Sequence, residues 1–518
     1  MRKIIYIIIL FLAVACTDKA INLDQKSAIP YDEAFNSPQR CELSTMGCYA
    51  FAQGSYRGYP FGSRASEHSD VRGEDVASSS YFSSCYNATF TTASGDGANQ
   101  WAYLFKLVNQ ANIVIEGVQG AAAKNIISAD IANGYQAEAR FLRALALHEA
   151  MVFFARPYQK TPDASHYGVP VITKACNTIE AVAQAMKEGR ATAAKTYEQI
   201  IEDLNYAETH LPDKRLGPQN ISRATKGAAI ALKTRVFQHK YDWKNVLIEV
   251  NKLVSANPPF KSSIGSYQLT GTVEGPFNNQ QGNTESIFSI ANSKTDNPTM
   301  DGCLGQMYYG RKDIAVSPIV YNAKFWTVDD LRRTTLLEMI DGKYFTKKYP
   351  NYINMEDWAP MMRYAEVLLN GAEAEARVNG KTKRALTLLN AVRNRAVKDV
   401  AQQYTLNSFA NANELIQAIL NERRIEFLAE GRRWYDIHRL STDPVFAVTT
   451  ALGVAGIPKK VNYGSIVKTD YLAGSGSVRA KLLTVTDIPA TDRRFIFPIP
   501  QKEIDTNPTI AAQQNEGW

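Results

Sequence analysis

The chain has 518 residues and a formal charge of +7, with 45% hydrophobic and 21% charged residues. That composition belongs to a globular protein and excludes a disordered or fibrous chain. The positive charge is not gathered into a Lys/Arg block, so nucleic acid is not an expected partner. The length admits three or four domains, or one large helical array.

Arg2 and Lys3 precede Ile4–Ala15, which is apolar throughout except for the amphipathic Tyr6. At helical rise this run reaches ~18 Å, short of the ~30 Å hydrocarbon core, so residues 1–15 read as a secretory signal and not a span. Cys16 follows Ala13 and Ala15 and resembles the cleavage-site cysteine of bacterial lipoproteins, whose thiol is diacylated. Leu12 lies one place upstream of the usual leucine position, which Ala13 occupies. Several acyl chains at ~0.8 kcal/mol per buried methylene make a stable anchor on Cys16. Loss of Arg2 and Lys3 with the leader lowers the charge to +5. Beyond Ala15 no apolar stretch is long enough to cross a bilayer.

Residues 16–29 are polar and expected to form a tether. The pattern from Tyr31 to Ala52 is helical. Residues 53–97, rich in Gly, Ser and Asp, are expected to be a long loop carrying Arg57, Tyr59, Arg72, Asp75, Tyr81, Phe82 and Tyr86. Trp101–Val118 is amphipathic. In 131–155, Phe141, Leu145 and Val152 share one face and Leu142, Ala146 and Phe153 the next, the mark of a wide buried stripe. Further helices are expected at Thr192–Leu211, stopped by Pro212, at Ser222–His239 with Ser222 as N-cap, and at Asp242–Ala256. Residues 260–355 are loop-rich with a few short strands, Ser286–Ala291 among them. Helices return at 360–378, 382–397, 411–431 and 433–440, and the chain is irregular from Thr442. Ala-Glu-Ala-Arg occurs at 137–140 and again at 374–377, in keeping with stacked helical hairpins of tetratricopeptide type.

With Cys16 assigned to lipid, five cysteines remain: Cys41, Cys48, Cys85, Cys176 and Cys303. Cys41 and Cys48 lie two turns apart on one helix, about 10 Å, too far for a disulfide. The spacing of Cys and His matches no zinc site, so the cysteines are expected to be mostly free and buried, with no metal or cofactor. HExxH, GxSxG, the P-loop and GxGxxG before a helix are all missing. The most enzyme-like cluster is Glu422, Glu426, Glu430, Asp436 and His438. It is interleaved with Arg423, Arg424, Arg432 and Arg433, and the spacing of Arg423 and Glu426 favours pairing within the helix. A salt-bridged structural helix is the better reading than a pair of glycosidase carboxylates, and no catalytic residue is assigned.

The same segment, Asn421-Glu-Arg-Arg-Ile-Glu-Phe-Leu-Ala-Glu-Gly-Arg-Arg-Trp-Tyr-Asp-Ile-His-Arg-Leu440, resembles the signature helix of the SusD/RagB family of Bacteroidetes surface lipoproteins. Glu138-Ala-Arg-Phe-Leu-Arg-Ala144, Tyr197-Glu-Gln-Ile-Ile-Glu-Asp-Leu204, Thr225-Lys-Gly-Ala-Ala229, Arg363-Tyr-Ala-Glu-Val-Leu-Leu369, Leu389-Asn-Ala-Val-Arg-Asn-Arg395 and Ile499-Pro-Gln-Lys-Glu-Ile-Asp505 follow the family's order across nearly the whole mature chain. The resemblance implies a mainly α fold of about four tetratricopeptide-like helix pairs with an irregular ligand face, in one unit from 30 to 518. It implies a SusC/RagA-like TonB-dependent outer-membrane transporter as partner, which receives oligosaccharides or, in some branches, peptides. It also implies a lipid-anchored position on the outer membrane, exposed at the cell surface.

The irregular segments 53–97 and 260–355 correspond to that ligand face. A sugar offers apolar C–H faces and many hydroxyls, so its site needs exposed aromatic planes beside polar side chains. Candidates are Arg72, Tyr81, Phe82, Tyr86 and Asn87 in the first segment, and Tyr308, Tyr309, Arg311 and Trp326 in the second. Oligosaccharide capture is the leading expectation and peptide capture the alternative. A glycoside hydrolase and a ligand-free helical-repeat adaptor stand behind both.

Overall fold

A computed structural model describes residues 30–484 and 487–518. The signal segment, Cys16 and the tether lie outside the described residues. After a single turn at Tyr31–Ala34 the elements are α1 (Pro38–Gln53), α2 (Arg64–Arg72), β1 (Val76–Ser78), α3 (Gly95–Ala123), α4 (Ala129–Phe154), α5 (Ile179–Ala185), α6 (Ala193–His210), α7 (Lys226–His239) and α8 (Trp243–Leu253). Then follow β2 (Ser286–Ile290), β3 (Ile314–Val316), β4 (Leu337–Ile340), β5 (Lys343–Thr346), β6 (Ala359–Arg363), α9 (Tyr364–Asn379), α10 (Lys383–Ala396), α11 (Ala412–Glu426), α12 (Arg433–Leu440), α13 (Gln501–Thr506) and α14 (Pro508–Ala511).

Side-chain caps fix most helix starts. Ser37, Ser128, Thr192, Thr225, Asp242, Thr382 and Asn411 each accept a backbone N–H from the first turn of the helix that follows. Thr225 therefore caps α7, and Ser222 ends a separate turn at Gln219–Ser222 instead. The long helices stack in sequence: α3 on α4, α4 on α6, α6 on α7, α7 on α8, α8 on α9, and α9 on α10 and α11. Small residues permit the close approaches. Gly117 of α3 sits so near the Phe35 ring that a Cβ would lie 2.3 Å from it. The stripe expected in 131–155 is real: Phe141, Leu142, Leu145, Ala146, Val152 and Phe153 are all buried.

Helices α5, α13 and α14 were not expected, and α2 departs furthest from expectation. Residues 64–72, read as loop, form α2, and all nine of its residues are buried. Its sequence, Arg-Ala-Ser-Glu-His-Ser-Asp-Val-Arg, has no apolar period because its partners are other polar groups. The strands form two-stranded antiparallel pairs: β1 with β3, β2 with β6, and β4 with β5. Among the described residues no helix is long and apolar enough to cross a membrane, and Cys41, Cys48, Cys85 and Cys303 are free and buried.

The carboxylates around the signature helix are locked in a buried ionic network. Glu426 meets Arg332 at 2.9 Å, Arg363 at 3.0 Å and Arg395 at 2.8 Å; Glu430 meets Lys348 at 2.6 Å and Arg363 at 2.7 Å. Arg423 does not pair with Glu426 as its spacing suggested; it reaches Asp436 of α12 at 2.9 Å, across the reversal between the two helices. Gly431 makes that reversal possible at φ 72°, and its Cα faces Ser66 of α2 so closely that a Cβ would lie 2.3 Å away.

Candidate functional site

The loop-built side of the molecule carries a continuous surface of tyrosines and arginines. Its framework is the β1–β3 pair. Ser78 lies opposite Ile314, and the Ser79 N–H donates to the Asp313 carbonyl at 2.8 Å. This register brings the turn at Ser80–Phe82 beside the turn at Gln306–Gly310, although more than two hundred positions separate them in sequence. A second tie joins residues 54–63 to residues 298–302. Gly58, at φ 69°, faces Gly302 so closely that a Cβ on either would lie 2.5–2.6 Å from the other's backbone.

Arg64, only 2% exposed, is the post beneath this surface. Its guanidinium donates to Glu67 at 2.6 Å, to the Tyr81 hydroxyl at 2.9 Å and to the Asp301 carbonyl at 2.6 Å. It also lies 5.6 Å from the Tyr59 ring centre and 5.3 Å from that of Tyr81. Burial pushes the Glu67 carboxyl up to about 7, against the pull of Arg64. Arg311 also stacks on Tyr81, 4.7 Å from its ring centre. Asp313, at 2.7 Å, and Asp301 hold Arg311 in place. Half-buried Tyr309 donates to Glu338 at 2.6 Å, and its ring leans on Tyr352 at 5.0 Å. On the other flank Tyr56, Tyr59 and Tyr103 form a triangle of near-parallel rings 5.9–6.3 Å apart. Tyr56 is 43% exposed and Arg57 rests 5.4 Å from its ring centre.

Such a surface supplies flat apolar planes with cationic and carboxylate groups between them. Of the residues singled out from sequence, Tyr81, Tyr309 and Arg311 lie on it, and Asn87 is half-buried. The others are corrected, because they are inside the molecule. Arg72 is 1% exposed, donates to the Phe495 carbonyl and stacks 4.0 Å from the Trp434 ring; burial pushes it down to about 10. Phe82 packs under Tyr81, and Tyr86 donates to the Val461 carbonyl at 2.8 Å. Tyr308 donates to Asp70 at 2.5 Å, and Trp326 lies beneath Arg333 at 4.2 Å. Sequence reasoning missed Tyr56, Tyr103 and Tyr352. Tyr103 sits on a scaffold helix, and its neighbour Tyr56 is 47 positions away, so no local pattern joins them.

The acidic cluster of the signature helix has the opposite character. Burial alone would raise Glu426, Glu430 and Asp436, but the arginines and Lys348 around them outweigh it and hold all three below the usual carboxylate range. A general acid needs a carboxyl kept protonated near neutral pH, and the surroundings of Glu426, Glu430 and Asp436 act in the opposite direction. Burial likewise pushes His438 down to about 4.

A stacked helical scaffold that carries irregular, loop-built segments on one side is the fold class. Known proteins share this fold. A model described as "SusD family" matches residues 334–518, and one described as "Starch-binding associating with outer membrane" matches residues 22–237. SusD-like protein P2 of Formosa agariphila is 23% identical over 522 residues, spanning 91% of this chain and 95% of its own. The crystal structure of a SusD superfamily protein from Bacteroides fragilis superposes with a TM-score of 0.75 at 24% identity, over 92% of this chain and 99% of that one. That of a putative sugar binding protein from Bacteroides vulgatus gives 0.71 at 23% identity, over 94% and 99%. The chain belongs to the SusD family.

Proposed function

We propose that this protein is a cell-surface lipoprotein that captures oligosaccharides without turning them over. In this reading Cys16 carries the lipid, the outer membrane is the anchor, and a SusC/RagA-like TonB-dependent transporter receives the ligand. The observation that carries the sugar reading is the tyrosine–arginine surface: Tyr56, Tyr103 and Tyr309 offer ring faces to C–H faces of sugars, while Arg57, Glu338 and Arg311, which rests on Tyr81, reach hydroxyls. The matched description of a starch-binding, outer-membrane-associated family supports it, as does the sugar-binding title of the Bacteroides vulgatus relative. The ionised, fully paired carboxylates of the signature helix support binding over hydrolysis.

The test is titration calorimetry of the purified protein against a panel of plant, algal and host oligosaccharides. Micromolar binding of at least one glycan is expected. Tyr309→Ala weakens it about tenfold, the upper end of what one stacked aromatic contributes, and Tyr81→Ala weakens it by removing the ring on which Arg311 rests. Tyr86→Phe, inside the molecule, leaves it unchanged. Saturable binding of peptides with no glycan response would overturn the sugar reading.

A further inference from the structure

A second concavity lies along α3, beyond the tyrosine triangle, with a cavity volume of about 750 Å³. That is within the range of sites that enclose a drug-sized molecule. One wall is the stripe Ala98, Ala102, Phe105 and Asn109 of α3, spaced four, three and four residues apart. The facing wall is α5 with Val182 and the following Met186, and Ile510 of α14 closes the end. The polar groups on the floor are already committed to the protein itself. Asn109 accepts from the Cys176 N–H at 2.7 Å, Asn112 donates to the Ile172 and Lys174 carbonyls at 2.9 and 3.0 Å, and Trp101 Nε1 donates to Glu503 at 3.1 Å. What the interior offers a ligand is therefore apolar contact.

Helix α5 has no buried residue of its own: Ile179 is 84% exposed, Val182 42% and Met186 43%. Its inner face looks across the groove at Phe105 without filling it. Two cations stand at the mouth. Lys106 Nζ lies 4.3 Å from the centre of the Tyr103 ring, and Lys502 lines the opposite lip. Neither forms an ion pair among the described residues, whereas the two carboxylates of the lining are engaged, Glu503 by Trp101 and Glu188 by Gln184 at 3.3 Å.

We propose that this groove binds an amphipathic anion, its apolar body between α3 and α5 and a single carboxylate or sulfonate at Lys106. The site is distinct from the sugar surface but shares Tyr56 and Tyr103 with it, so the two occupants adjoin.

The experiment is a fluorescence titration of the purified protein with 1-anilinonaphthalene-8-sulfonate, followed by competition with decanoate and with decanol. One saturable site is expected, and decanoate displaces the probe at least tenfold more effectively than decanol. Val182→Asp weakens probe binding at least tenfold; the half-exposed position keeps the fold, which circular dichroism checks. Ile179→Asp, at the exposed start of α5 and outside the lining, stays within twofold of the native protein. Lys106→Glu reduces decanoate competition about fivefold and leaves decanol unchanged. Absence of saturable binding, equal binding by native protein and Val182→Asp, or equal competition by decanol would each overturn the proposal. A glycan panel without hits would leave these outcomes unaltered, so the two readings fail separately.

Discussion

His438 is built to stay neutral, and that makes a measurable contribution to stability. It is 1% exposed, its Nε2 donates to the Ala155 carbonyl at 2.9 Å, and the rings of Trp434 and Phe495 lie 5.8 and 6.2 Å away. Burial pushes it down to about 4 from 6.5, with Arg156 and Arg72 adding to the effect and the Ala155 carbonyl opposing it. The unfolded chain takes up this proton as pH falls below about 6.5, while the folded chain refuses it until about 4. The contribution is thus complete above pH 6.5 and lost progressively towards pH 4. Between pH 8 and pH 5 the loss is about 2 kcal/mol. Other groups titrate in the same window with the opposite sign. Burial raises Glu67 and Asp70 to about 7, and Glu149 and Asp357 to about 6, so their protonation favours the folded state on acidification. A difference measurement removes them. His438→Gln keeps a donor for Ala155 and loses the titration. Urea unfolding of both proteins at pH 8 and pH 5 is expected to show the deficit of the variant shrinking by about 2 kcal/mol at the lower pH. An unchanged deficit would refute the reasoning.

Glu426→Gln leaves Arg332, Arg363 and Arg395 buried with less than their full counter-charge, and is expected to cost about 3–5 kcal/mol in urea unfolding. Gly431→Ala combines φ 72° with a Cβ 2.3 Å from the Ser66 backbone, and should lower stability by at least about 2 kcal/mol; an unaltered unfolding midpoint would contradict the close approach. Arg64→Met removes three hydrogen bonds beneath Tyr81 and is expected to weaken glycan binding at least tenfold, as read by calorimetry. Cys16→Ala is expected to move the protein from the membrane to the soluble fraction with its glycan affinity intact, and continued membrane retention would place the anchor elsewhere.

The helical scaffold was legible because its helices bury apolar stripes against one another, and 3.6-residue periodicity survives any detail of the partner. Leu142, Leu145 and Val152 carry that signal plainly. Helix α2 was not legible because its buried residues are themselves charged and find polar or aromatic partners: Arg64 finds Glu67 and Tyr81, Asp70 finds Tyr308, and Arg72 finds Trp434. A periodicity search sees only a polar stretch. The recognition surface was legible in part for a different reason. Tyr81 and Tyr308 are alike in sequence, each an aromatic in a polar loop. One reaches solvent and the other lies under it, because the β1–β3 register sets which side of each turn faces outward. That register is a long-range fact, and three-residue strands leave too little pattern to announce it.

The Gly58–Gly302 approach has a bearing on how such proteins diversify. Two segments encoded far apart share one spine, and neither can lengthen or change its path without displacing the other. Side chains at positions 56, 309 and 311 lie outside that contact and can be exchanged without disturbing it. Transplanting residues 54–63 alone from a relative would import a half whose counterpart stayed behind. A successful graft carries residues 298–302 with it, as one inherited module.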